Sequence, residues 1–578
     1  MMPKNSGLAR AKKDQARALL NAHRLAEAKS LYTDVCQTDP RDAEAWFMLG
    51  IVNAQLKTFD EAETCFLRAA AVETKRAEIH YNLAKAQESQ GKIDPALKSY
   101  REALRIKPGF AAALNNIGTL NKSKGMYSEA AANFREALRF EPSLAEAHCN
   151  LGNVNTLLSK FDEAVANYKQ ALKIKPDYSE ALHNLGNALY ALGKFDEAVD
   201  SYQLALKISP DDAPSHNNLG NALRKLGRFE QAVASFRQAL KIKPDYAEAL
   251  SNLGIALKRQ GMFEEAVAAY QQALKINPNY AHAHNNLGNV LRDLGKLEEA
   301  GASFRQALKI KPDHAGAYYN LHTLLLDRKN MVPAIECLEA AVRLQPRNIS
   351  YELYLGTLLE YAGDPENAAL HFREVQHGSD LDKACLDSWN YIKSAAKEMP
   401  QMIGSPIEAF RLGINAAVHS GLVLEFGVRY GASIRQIAGL VDQQVHGFDS
   451  FEGLPEAWHH EPEGSYTTKG VIPEVPDNVL LHKGWFENTL PEFVKTHKDP
   501  VRFMNIDCDL YSATKTILDC LSSQIVPGTV IVFDEYLGHE HWREDEFKAF
   551  QEAVRAYGWN YEYLAFSLFT KQAVIRML

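Results

Sequence analysis

The side chains best suited to chemistry lie in the last third of the chain. Asp507 and Asp509 stand two apart in NIDCDLY, and Asp534 and Glu535 are adjacent in VIVFDEY. Each pair follows an apolar run of strand type, so the four carboxyls fall at strand ends. Clustered carboxylate oxygens suit a hard ion such as magnesium, whose open water positions a diol can replace. A carboxylate beside an acidified hydroxyl can take its proton. A second constellation begins at LEFGVRYGAS (424–433), with Glu425, Gly427, Gly431 and Ser433. It reads as the end of a strand, a tight glycine turn and the start of a helix. About one βαβ half-unit later, HGFDSFEGLPE carries Asp449, Ser450 and Phe451 at the end of the next strand. Glycines that admit a ligand to the backbone, followed by an acid that accepts from ribose hydroxyls, form a nucleoside-cofactor pattern. The spacing is not GxGxxG, so the turn alone is a weak signal.

These residues need a scaffold that brings strand ends together. Apolar runs at 421–427, 446–450, 478–486, 501–511 and 528–536 alternate with helical stretches, and 561–567 and 572–577 read as a closing hairpin-like pair. Alternation of this kind predicts a Rossmann-like, doubly wound parallel sheet with an antiparallel edge strand, its ligands at the carboxyl ends. The stretch 465–478 is long enough to serve as a lid. His459, His460, His539 and His541 fall on loops. The spacing of His539 and His541 does not match two ligands on one helical face, and a substrate-facing or solvent-exposed loop is expected for both pairs.

The first two thirds of the chain repeat every 34 residues. Alanine recurs at that step from Ala28 to Ala368, eleven times. Glycine recurs from Gly50 to Gly356, with Ala84 and His322 in the two gaps. The small residues mark close helix crossings, and a proline closes nearly every repeat. The pattern resembles the tetratricopeptide repeat over residues 9–382 and implies an α solenoid of paired helices. Two residues before the small position, eight consecutive repeats carry an asparagine: Asn82, Asn116, Asn150, Asn184, Asn218, Asn252, Asn286 and Asn320. Asn153, Asn187, Asn221 and Asn289 follow on the same helical face. Asparagine is a poor helix former, but its amide both donates and accepts, so a row of amides can hold an extended peptide or protein segment in a groove. The ladder is similar to that of O-linked N-acetylglucosamine transferase; the plain alternative is a copied consensus.

The motifs LEFGVRYGAS, FDSFEGLPE, KGWFENTLPEF, NIDCDLYSAT and VIVFDEY, in this order, resemble the class I S-adenosylmethionine methyltransferases of the macrocin and mycinamicin sugar O-methyltransferase type, over about 389–578. The resemblance implies that Glu425 faces the charged end of S-adenosylmethionine, Asp449 its ribose, and Trp485 and Phe486 its adenine. It implies Asp507, Asp534 and Glu535 as magnesium ligands and Asp509 as general base. Glu535 stands where the group has aspartate. Residues 383–420 read as a helical linker and the start of the catalytic domain, and 421–578 as the methyltransferase domain.

Composition sets the frame. Residues 383–578 carry 17 Lys+Arg against 26 Asp+Glu, a net of −9, while the whole chain is −8. A near-neutral array and an acidic second part offer no footprint for nucleic acid. No run is apolar enough to span a membrane, and seven cysteines without ligand spacing suit a reducing, cytoplasmic setting. The expected function is transfer of a methyl group to a sugar-like hydroxyl, with the array recruiting a peptide or protein. The competing expectations are a peptide-binding scaffold with an inactive domain and a methyltransferase acting on a groove-bound segment. A glycosyltransferase is excluded, because the second part is too short for two nucleotide-sugar lobes.

Overall fold

The computed structural model describes residues 5–459, 461 and 463–578; His460 lies outside them. By its contacts the chain divides into two compact units, Met1–Gly227 and Arg228–Leu578. The first consists of paired antiparallel helices, from Asn5–Asn21 to Ala213–Lys225. In this unit the glycine of a repeat's first helix faces an aromatic ring sixteen residues on. A methyl group added at Gly152 would lie 2.6 Å from the Tyr168 ring, and one at Gly50 would lie 2.5 Å from that of Phe66. Glycine therefore lets the second helix seat a full ring against the first.

The second unit continues with helix pairs to Pro365–Val375, adds the helix Asp380–Ala395 and ends in a mixed sheet. Its strands are β1 (Gln401–Met402), β2 (Leu422–Phe426), β3 (Val445–Asp449), β4 (Val479–Lys483), β5 (Val501–Ile506), β6 (Val530–Phe533), β7 (Tyr561–Phe566) and β8 (Ala573–Met577). The order across the sheet is β1-β7-β8-β6-β5-β2-β3-β4. All neighbours are parallel except the two pairs made by β8. The antiparallel strand expected near the edge is thus β8, and β7 and the short β1 lie outside it. The β7–β8 turn folds β8 inward against β6. Consecutive residues of β2 serve opposite faces: Val423 packs with Phe410, Ile434 and Phe503, and Leu424 with Phe448, Phe493 and Ile517. Both faces are covered, as a parallel sheet requires.

One face is covered in part by the repeats themselves. Tyr354, Leu355 and Leu358 share a continuous apolar core with Trp389, Ile392, Phe566 and Ile575. Trp389 stacks on Phe566 at 5.7 Å between centroids, and its indole N–H donates to Glu360 at 2.7 Å. Burial of such side chains stabilises by about 1.5–3 kcal/mol each. The helix Asp380–Ala395 therefore covers the last apolar face of the array and joins it to the sheet.

Candidate active site

The site lies where the strand order reverses. The chain builds outward from β2 through β3 to β4, then returns to place β5 on the other side of β2. At such a point the turns leaving adjacent strands diverge and open a crevice at their carboxyl ends. Gly427, just beyond β2, has φ 91°, and a side chain there would place Cβ 1.7 Å from the Asp507 carbonyl oxygen. Only glycine lets these two strand ends meet. Asp449 ends β3; its Oδ2 accepts from the Arg429 N–H at 2.7 Å and its Oδ1 from the Phe451 N–H at 2.6 Å. These bonds lock the carboxylate at the crevice.

The crevice is a cavity of about 1100 Å³. Gly427, Asp449, Ser450, Trp485 and Phe486 line it, as do Asp507, Asp509, Asp534 and Glu535. Glu425, Gly431, Ser433 and Phe451 are not among its lining residues. Glu425 is fully buried on β2, where Asn505 of β5 donates to it at 3.2 Å. It lies within the sheet, which explains why it does not present its carboxyl to the cavity. Gly431 caps the helix Ala432–Ala438 with φ 78°, and the Phe451 side chain is packed in the core.

Several acids share this space with few cations. Burial pushes Asp509 up to about 8, with further upward pressure from Glu535 and Asp534. Burial, then Glu535, raises Asp534 to about 7. Burial and the neighbouring Asp534 and Asp509 hold Asp507 well above the usual carboxylate range. Glu546, fully buried, is raised in the same way, and its Oε2 accepts from the Glu535 N–H at 3.3 Å. Lys571 offsets part of this charge: its Nζ donates to both oxygens of Glu535, at 3.0 and 2.9 Å. Gln572 donates to Asp534 Oδ1 at 2.6 Å.

Lys571, Gln572 and Glu546 were not anticipated. The antiparallel register of β6 and β8 explains the first two, since Phe533 pairs with Ala573 and the residues just before β8 must lie beside those just after β6. The expected magnesium set is not assembled. Among the described residues no three His, Cys, Asp or Glu side chains group as a metal site. Glu535 and Asp534 are engaged by Lys571 and Gln572, so the donors as arranged do not fit a divalent ion.

The histidines reach the same cavity by another route. His459 bonds the buried Asp545 at 2.8 Å, as does the Trp458 indole at 3.2 Å, and His459 stacks on His541 at 3.9 Å. His539 donates to the Glu535 carbonyl at 2.8 Å and, by burial, is held down at about 4.

In the array the ladder amides are already engaged. Asn184 donates to Asn153 Oδ1 at 3.0 Å, and the Tyr168 hydroxyl donates to the same oxygen at 2.7 Å. Asn218 and Tyr202 repeat this at Asn187. Asn150 donates to Asn115, Asn320 to Asn285, Asn116 to Tyr100 and Asn82 to the Glu78 carbonyl. Asn252 and Asn286 occupy the equivalent half-buried positions. The ladder thus tacks successive repeats together.

Residues 424–536 match the model of a methyltransferase domain. Residues 13–77, 77–110 and 120–158 match tetratricopeptide-repeat models, and 143–353 match the C-terminal domain of cilia and flagella-associated protein 70. No curated protein matches the chain. Among solved structures the chain is similar to YrrB, described as a TPR protein with an unusual peptide-binding site, at 25% identity over 32% of this chain and 95% of that one (TM-score 0.29). It is similar to PilF of Pseudomonas aeruginosa at 21% identity over 36% and 97% (TM-score 0.34). Yeast Tom70 is 16% identical over 68% and 96% (TM-score 0.36). The chain carries an array of tetratricopeptide repeats followed by a methyltransferase domain.

Proposed function

We propose that this chain is an S-adenosylmethionine-dependent O-methyltransferase acting on a sugar-like hydroxyl, with the repeats recruiting the peptide or protein that bears or delivers it. The observation that carries this is one cavity, at the switch point of a methyltransferase domain, lined by Gly427, Asp449, Trp485 and the four strand-end acids. The cofactor supplies an activated methyl on sulfonium. The chain supplies position and proton handling. Asp449 is fixed to accept from two ribose hydroxyls, the Gly427 backbone admits the cofactor, and Trp485 and Phe486 offer faces to its base. Glu425 braces β2 against β5 behind the site. Asp509, raised to about 8, is a stronger base than an ordinary carboxylate, and its ionised form, which grows as pH rises towards 8, takes the acceptor's proton. Burial raises the neighbouring Glu535, and Lys571 opposes that rise without cancelling it. Gln572 and Lys571 engage two of the three expected magnesium ligands, so these acids do not form a divalent-ion site.

The array's peptide-binding role rests on its fold. In this reading the groove of the array meets the peptide, while the ladder amides hold the repeats in register.

The test is calorimetric titration of S-adenosylmethionine into the full chain beside Asp449→Ala. The full chain is required because 354–358 belong to the core of the sheet. Binding in the low-micromolar range that the variant loses by at least about tenfold supports the reading, and labelled-methyl transfer to free sugars, glycopeptides and peptides then ranks acceptors. A folded chain that binds no cofactor refutes it.

A further inference from the structure

Arg259 ends the helix Ala247–Arg259 of the repeat array, is exposed, and lines the same cavity as Arg429 of the methyltransferase domain. Neighbouring basic groups at this junction are paired: Arg435 with Glu264 at 3.2 Å and Lys258 with Asp293 at 2.8 Å. Among the described residues Arg259 has no ion pair or hydrogen-bond partner, and the Nε of Arg429 is buried without one. The Arg429 guanidinium lies 5.5 Å from the Tyr430 ring and 5.0 Å from that of Tyr466. A methyl group at Gly261, two residues after Arg259, would lie 3.6 Å from an Arg429 terminal nitrogen. A short turn of the array thus meets the arginine loop directly, and Gln436, donating to the Asp293 carbonyl at 2.9 Å, helps fix the junction.

At this opening an exposed, unpaired guanidinium stands near one whose Nε is buried without an acceptor, and an oxyanion can take up the donors that neither spends on the protein. Their planar donor forks fit the oxygens of an oxyacid. Asp449 and Asp509 act on Arg429 electrostatically, but among the described residues none of the cavity's acids bonds either guanidinium, and Lys571 and Gln572 engage Glu535 and Asp534. We propose that the acceptor carries a phosphate or carboxylate group, bound by Arg259 and Arg429 while its hydroxyl reaches Asp509. The inference rests on the methyltransferase reading and adds that the array itself contributes to acceptor choice. Arg259 is then a positioning residue, remote from the transferred methyl.

The experiment uses the full chain loaded with S-adenosylhomocysteine and titrated with glucose 1-phosphate, glucuronate and methyl glucoside. At least one anionic sugar is expected to bind about tenfold more tightly than the neutral glycoside, and the two anions distinguish phosphate from carboxylate. In Arg259→Ala that advantage should vanish while S-adenosylhomocysteine binds as in wild type, and Arg259→Glu should reverse it. Equal binding of neutral and anionic sugars, no binding of any of the three, or an advantage that survives Arg259→Ala overturns the proposal. Failure of S-adenosylhomocysteine itself to bind counts against the methyltransferase reading. The same three titrations without it still decide whether the arginine pair selects anions.

Discussion

The repeats of regular sequence and the tenth repeat solve one packing problem in opposite ways. In the regular repeats the first helix gives a glycine and the second a ring, as in Gly288 and Phe304, where an added methyl would lie 2.6 Å away. In the tenth the first helix gives His322 and the position sixteen residues on is Leu338. Bulk has moved from the second helix to the first, a change cores accept when total volume is kept. The first helix, Ala315–His322, is also cut to 8 residues. His322 is fully buried and meets Phe569, beyond β7, at 4.6 Å between centroids. The tenth repeat gives up the consensus where it meets the residues beyond β7, whereas the eleventh keeps Gly356 against Phe372, at 2.7 Å for an added methyl, and serves the sheet through Tyr354 and Leu358 instead.

The contrast can be broken most severely at the sheet. Gly427→Ala drives a methyl group into the Asp507 carbonyl, and destabilisation above about 4 kcal/mol is expected, with loss of cofactor binding, read by denaturant titration and calorimetry. Trp389→Ala, which empties the shared core, should cost about 3–5 kcal/mol. It should lower the unfolding midpoint of the second unit while helical signal from residues 5–225 persists.

Charge offers the next test, because shifted acids move in opposite directions in the two regions. In the array Lys124 holds Asp94 low and Arg105 holds Glu102 low. At the sheet, burial raises Glu425 from 4.5 to about 8. The folded state then binds this proton more tightly than the unfolded chain. The contribution is full below about pH 4.5 and is lost as pH rises towards 8, on the order of a few kcal/mol. Unfolding midpoints should therefore fall across that window, and Glu425→Gln should flatten the fall; an unchanged slope refutes the assignment. The smallest effect belongs to the regular repeats. Gly152→Ala presses on a ring that can shift, for about 1–3 kcal/mol, seen as a lower thermal midpoint of the array.

Much of the fold is legible in the sequence. The period of 34 identified the repeats, and every anticipated strand formed, because repeat and strand patterns are local. Asp449 and the acid pairs could be placed from strand ends alone. What escaped depends on contacts distant in sequence. Two-residue β1 carries no pattern of its own, and Gln436 meeting Asp293, or Arg259 reaching the cavity, leaves no periodic trace. The depth of Glu425 is hidden for a related reason: alternation along β2 says which face a side chain takes, but not how deep it lies. The ladder asparagines were visible as a series, but their internal bonding to Asn153 and Asn187 emerges only when helices of successive repeats are set side by side.

The position of β8 has a consequence for how the protein is made. It is the last strand in sequence, yet it sits between β6 and β7. Until it emerges from the ribosome, both of those strands present bare backbone edges, able to pair with another nascent chain. The helical repeats, whose contacts are local, can form as they appear, whereas the sheet closes only in a late, concerted event. A lesion that slows insertion of residues 573–577 would then reduce the yield of folded protein without altering the stability of what does fold.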